Sequence, residues 1–139
     1  MNEITKQPMS TTQLELLGIR WYSADTVPKM YNGESFILNW DVSTGPGTHY
    51  IAVKTIKKRV YYFDSLCFPI HDDVAEMFHN SYIKKVRQNG VKCQQEEDVI
   101  CGALATIFLK KVGSEEDFLG FLREYKIQNG SLVVQVELG

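Results

Sequence analysis

The chain has 139 residues, a length that predicts one domain, because domains usually run to roughly 100–200 residues. With 44% hydrophobic and 23% charged residues it has the composition of a globular protein with a core of its own. Fifteen Lys and Arg against seventeen Asp and Glu leave a net charge of -2, which excludes a wholly basic nucleic-acid binder but not a local basic patch.

Residues 1–9 read as a flexible lead-in. Ser10 and Gln13 have the spacing of a capping box, which predicts a short helix, TTQLELLG, ended by Gly18. Trp21 to Gly33 has no clear period, contains Pro28 and reads as loop. Glu34 to Trp40 reads as a buried strand, Ser43 to Thr48 (STGPGT) as a turn, and His49 to Ile56 as a second strand. Lys57-Lys58 then makes a two-residue connection to a third strand, Arg59 to Ser65, rich in aromatic residues that suit a pleated sheet. The pair forms a hairpin, although Lys-Lys is not the favoured turn chemistry.

His71 to Val86 reads as a helix, with Asp72 and Asp73 at its positive end and Lys84 and Lys85 at its negative end. Asn89-Gly90 reads as a turn and Val91 to Gln95 as a strand. Cys101 to Val112 is predicted helical; it carries no charge before Lys110, so it is expected to be central and buried. Ser114 caps a further helix through Tyr125, and Asn129-Gly130 turns into a last apolar stretch, Ser131 to Leu138. The expected architecture is α+β: a single domain over residues 1–139, with a small, mainly antiparallel sheet packed on helices.

No apolar run approaches the ~18 residues of a membrane span, and the first thirteen residues lack the apolar core of a secretory signal. Three cysteines cannot all pair within one chain, so reduced thiols in an intracellular, reducing setting are expected: cytosol, nucleus or virion. There is no Cys-x-x-Cys, His-Glu-x-x-His or phosphate-loop motif, so neither a metal nor a nucleotide cofactor is expected.

Four features line up in chain order. His49 opens a strand after a glycine-rich turn, Asp64 ends the next strand fifteen residues on, Gln94 and Gln95 precede a helix, and Cys101-Gly102 starts that helix. Each meets a need of thiol-nucleophile hydrolysis. A helix N-terminus lowers a thiol's pKa through its unpaired N–H groups and dipole. A histidine takes the thiol proton and later protonates the leaving amine. An acid orients the imidazole. A glutamine amide with the cysteine N–H supplies two donors to the oxyanion. Gly102 lets a substrate backbone approach closely. Taken singly, each has a plainer reading: Cys101 as a small core residue, His49 and Asp64-Ser65 as turn residues, and the glutamines as solvated side chains.

In combination they resemble the adenovirus maturation protease (adenain) family and its relatives, the SUMO-deconjugating cysteine proteases. There a histidine starts a strand as Gly-x-His-Trp, as in GTHYIAV from Gly47 here, and an acid ends the next strand as in VYYFDSL from Val60. A glutamine then precedes Cys-Gly by six or seven residues, the distances of Gln95 and Gln94 from Cys101. The resemblance runs from about Ser35 to Val112. It departs at Tyr50, where Trp is usual; at Ile100, where the SUMO proteases have Asp; and at Glu96-Glu97, where Pro-Asn is common. The chain is also shorter than typical members, which favours a compact, viral type of enzyme.

The resemblance implies an endopeptidase that matures viral structural precursors next to small residues, often Gly, in the virion and host-cell nucleus or cytoplasm. It implies Cys101 as nucleophile, His49 as base and acid, Asp64 as its orienting partner, and Gln94 in the oxyanion hole with Gln95 as runner-up. Gly102, Tyr50 and Gly47 would contact substrate, with Tyr50 packing on the imidazole. Activation by a peptide and by DNA is implied as well. Lys54, Lys57, Lys58, Arg59, Lys84, Lys85 and Arg87 are the DNA-contact candidates, against a plainer reading as solvated charges. Cys93 could bond an activating peptide, against a plainer reading as an inert thiol, and Cys67 is expected to be structural. The alternatives are a ubiquitin- or SUMO-type deconjugase and a non-catalytic, capsid-associated binding protein with a protease-like fold.

Overall fold

The computed structural model describes residues 10–28, 30, 34–41, 48–95 and 100–138. The expected flexible lead-in, most of the Ser43–Thr48 turn including Gly47, and Glu96-Glu97 lie outside the described residues. In chain order the elements are α1 (Thr11–Leu16), β1 (Trp21–Ser23), β2 (Ser35–Asp41), β3 (Thr48–Ile56), β4 (Arg59–Phe63), α2 (Asp72–Asn80), β5 (Lys85–Asn89), α3 (Cys101–Lys111), α4 (Glu115–Tyr125) and β6 (Val133–Glu137). The architecture is α+β, but the sheet is a mixed one of six strands, larger than the small sheet expected. Six strands pair in sequence order; β1–β2 and β4–β5 are parallel and the other three pairings antiparallel.

Both faces of the sheet are covered. On one, Ile37, Tyr50, Ala52, Tyr61 and Phe63 pack against α1, α3 and α4. On the other, Phe36, Leu38, Ile51, Val53, Val60 and Tyr62 pack against α2. The strict two-residue period of a strand divides these sets, which explains why β2, β3 and β4 are apolar at both odd and even positions. Helix α3 is the central element, buried from Cys101 to Phe108. Helix α1 begins with both bonds of the expected capping box between Ser10 and Gln13.

Three sequence expectations are corrected. Trp21–Ser23, read as loop, is a short edge strand parallel to β2; three residues are too few to display a period. The helix expected to reach Val86 stops at Asn80. Its apolar stripe is Val74, Met77 and Phe78, and the positions that would continue it are Ser81, the exposed Tyr82 and Lys85. Ser81 instead turns its hydroxyl back onto the Met77 carbonyl, 2.8 Å away, and Tyr82 takes a positive φ. The chain then re-enters the sheet as β5, where Val86 pairs with Val60. Asn89-Gly90, read as a turn, ends β5, while Val91 to Gln95 is irregular and not a strand. Gly90 is required by close approach: a Cβ there would stand 2.3 Å from the Ser131 carbonyl oxygen.

The β3–β4 hairpin forms as expected, with Lys57 and Lys58 both at positive φ, 49° and 67°. A two-residue loop needs this to match the twist of its strands, and lysine adopts it at a cost of roughly 1–2 kcal/mol per residue. The double substitution Lys57→Asn, Lys58→Gly is therefore expected to stabilise the protein by about 1 kcal/mol. Urea unfolding should show a higher midpoint at unchanged m-value; a lower midpoint would mean the lysines make contacts that outweigh their backbone strain.

Candidate active site

The candidate residues converge at one end of the sheet. The antiparallel register pairs Trp40 with His49 and Ala52 with Phe63, so the start of β3 lies beside the end of β4. His49 Nε2 stands 2.6 Å from Asp64 Oδ1, with both side chains buried. The Cys101 thiol lies close enough to the imidazole to contribute to its raised pKa. With Nε2 occupied by Asp64, Nδ1 is the ring nitrogen left for the sulfur. Cys101 is the first residue of α3, which places its backbone at the helix's positive end, and Ile100 at the N-cap makes no side-chain capping bond.

Burial works against a charged imidazole, but the hydrogen bond and charge of Asp64, with a further contribution from Cys101, outweigh it, and the His49 pKa rises from 6.5 to about 9. At neutral pH the ring is therefore held as imidazolium. The other thiols are poor nucleophiles. Burial raises Cys93 to about 12, and burial with the nearby Asp64 charge raises the half-buried Cys67.

The two candidate glutamines differ in environment. Gln94 is 1% exposed, and its Oε1 accepts a hydrogen bond from the Ser65 hydroxyl, whereas Gln95 is exposed. Gln94 Nε2 also lies 3.4 Å from the Gln95 carbonyl. Gly102 is buried beside the nucleophile. Tyr50 is buried against the α3 face in the same cluster as Cys101, and does not pack on the imidazole. Neighbouring residues of a strand face opposite sides, so the residue after His49 points away from the ring. Trp40 and Phe68 take that place, with ring centroids 6.3 and 6.1 Å from the imidazole. Trp40 also packs edge-on against His71 at 4.9 Å and, with Ser23, Asp25, Asn39 and Asp73, lines a cleft of about 380 Å³.

Sequence reasoning missed the residue that holds the acid. Asn89, fully buried at the end of β5, accepts from the Asp64 N–H at 3.0 Å and donates to the Asp64 carbonyl at 2.6 Å and the Val91 carbonyl at 2.9 Å. Its only signal in the sequence was an Asn-Gly pair, which points to a turn. The basic candidates lie elsewhere. Lys57, Lys58 and Arg59 at the hairpin turn, with Lys84 and Lys85, are exposed at the opposite end of the sheet. Lys54 donates to the Leu109 carbonyl at 2.8 Å, and Arg87 is paired with Glu115, so these two are already engaged. Among the described residues no group of three His, Cys, Asp or Glu side chains is arranged to hold a metal, and no helix is long and apolar enough to cross a membrane.

No protein-family model, curated protein or solved structure matches this chain.

A histidine pKa raised from 6.5 to about 9 contributes stability that is complete below about pH 6.5 and is lost as the pH rises through about 9. Urea titrations at about pH 6 and about pH 10 should show wild type losing stability between them, and His49→Gln losing much less. Parallel losses in the two proteins would mean that His49 is not held protonated by its neighbours.

Proposed function

We propose that the protein is a cysteine endopeptidase working through Cys101, His49, Asp64 and Gln94. The observation that carries the reading is His49 held on the Asp64 carboxylate and close to the Cys101 thiol at the N-terminus of α3. An imidazolium in that position pairs with a thiolate, the form that attacks a peptide carbonyl.

In this mechanism the Cys101 sulfur adds to the scissile carbonyl carbon, and the carbonyl electron pair moves to oxygen. The Gln94 amide and the Cys101 backbone N–H stabilise that oxyanion. As the intermediate collapses the C–N bond breaks, and the His49 imidazolium delivers its proton to the departing amine. Water then attacks the thioester with neutral His49 as base, releasing the acid and restoring the ion pair. Asp64 keeps Nε2 engaged throughout, so the ring's other nitrogen stays toward sulfur.

The substrate class rests on the motif resemblance to the adenovirus maturation protease family. On that ground we propose viral structural precursors cut next to small residues, often Gly, with a narrow approach to Cys101 excluding larger side chains. DNA as an activator would engage the cations at the far end of the sheet, Lys57, Lys58, Arg59, Lys84 and Lys85.

Iodoacetamide labelling followed by peptide mass spectrometry tests the reading directly. Cys101 should react at mildly acid pH well before Cys67 and Cys93, and His49→Ala should abolish that advantage. Against Gly-containing peptides, Cys101→Ala should show no turnover. His49→Ala should lose about 10²–10⁴-fold, and Asp64→Asn less. Gln94→Ala should lose about 10²–10³-fold in kcat, with Gln95→Ala near normal. Turnover by Cys101→Ala equal to wild type would refute the assignment. The wild-type rate should fall above about pH 9 as His49 loses the proton it must donate.

A further inference from the structure

We propose that Ser65 is a positioning residue for the oxyanion site, its hydroxyl holding the Gln94 amide with the NH₂ end turned to the developing oxyanion. The proposal rests on the peptidase reading and extends it to a residue with no role of its own in the four-residue mechanism.

A glutamine amide has two ends of similar shape and opposite chemistry. The NH₂ end stabilises an oxyanion, whereas the oxygen end, presented to the same place, repels it. Something must choose between orientations related by a half-turn of the terminal torsion, which is otherwise soft. At Gln94 the choosing neighbour is the Gln95 carbonyl, which can only accept; the Ser65 hydroxyl, able to donate or accept, fixes where the amide sits. The Ser65 hydroxyl donates to Oε1, and the Gln95 carbonyl oxygen lies 3.4 Å from Nε2. Flipping the amide would set Oε1 against that carbonyl, two acceptors facing each other. The Ser65 and Gln94 side chains are each 1% exposed, so water is poorly placed to substitute for the contact.

Ser65 can do this because its own backbone is held at both ends. Its carbonyl accepts from the Cys93 N–H at 2.8 Å, just before Gln94 in the chain. The preceding residue is Asp64, whose peptide groups Asn89 binds on both sides. One dipeptide thus serves both halves of the reaction: Asp64 orients the proton carrier and Ser65 orients the oxyanion donor.

Alkylation by iodoacetamide separates these roles, because displacement at its CH₂ carbon with loss of iodide forms no oxyanion. Peptide cleavage does form one. The test compares wild type, Ser65→Ala, Gln94→Ala and the double variant on a peptide ending in Gly-Gly with a coumarin amide leaving group. Ser65→Ala is expected to lose ten- to a hundredfold in kcat with KM within about twofold, while its iodoacetamide rate at Cys101 stays at the wild-type value. Ser65→Thr, which keeps the hydroxyl, should recover most of the loss. In the Gln94→Ala background the Ser65 change should add little, since the amide it holds is gone. A normal kcat in Ser65→Ala, or a full additional loss in the double variant, would overturn the proposal while leaving the peptidase reading intact. Equal losses in labelling and turnover would also overturn it, by assigning Ser65 to the Cys101–His49 pair. Wild type with neither rapid Cys101 labelling nor turnover would instead bring down the peptidase reading itself, and the proposal with it.

Discussion

The Asp64 carboxylate has no solvent exposure, and a buried charge is costly unless it is paired and hydrogen-bonded. That constraint organises the end of the sheet around it. Oδ1 faces both His49 Nε2 at 2.6 Å and the Leu66 N–H at 2.9 Å. Asn89 holds the residue's peptide groups from the neighbouring strand. Because the carboxylate is compensated chiefly by His49, the same contact that makes its burial tolerable also keeps the imidazole charged and turned toward Cys101. Stability and the proposed chemistry therefore depend on one ion pair.

The layers of the fold supply the other half of the geometry. Helix α3 packs along the face of β3 that carries Tyr50 and Ala52, which brings its N-terminus to the end of the sheet where β3 begins and β4 ends. His49, on a strand, and Cys101, on a helix, meet because both elements terminate there. The aromatic wall of the imidazole comes from β2 and the loop after β4, through Trp40 and Phe68. Trp40 reaches the ring across the strand pair, since Trp40 and His49 are register partners.

Charge is distributed unevenly between the two ends of the sheet. The end with Asp64 also carries Asp25 and Asp73 along the cleft beside Trp40, while Lys57, Lys58, Arg59, Lys84 and Lys85 lie at the other. Nearly neutral composition conceals this, because cations and anions cancel in the total of -2. The cleft beside Trp40 and the cations at the hairpin turn are therefore separate surfaces.

Much of this was legible from local pattern. The apolar runs located β2, β3 and β4. The capping box located α1, and the uncharged stretch from Cys101 identified the buried helix. These are properties of neighbouring residues: strand period, caps and turn length act over a few positions. The order His49, Asp64, Gln94, Cys101 also pointed to nucleophilic chemistry before any contact was known. Long-range pairing was not legible. Nothing near Val86 announces that it will leave the helical pattern to pair with Val60, or that Asn89 will clamp a residue 25 positions away. Gln94 and Gln95 are chemically identical in the sequence, and the fold distinguishes them by burying Gln94 against Ser65 and leaving Gln95 exposed. The sequence by itself determined the elements and the chemical groups available, because those follow from local propensity and residue type. Only the tertiary structure decided which groups meet and which are buried, because those depend on burial of apolar faces between segments distant in the chain.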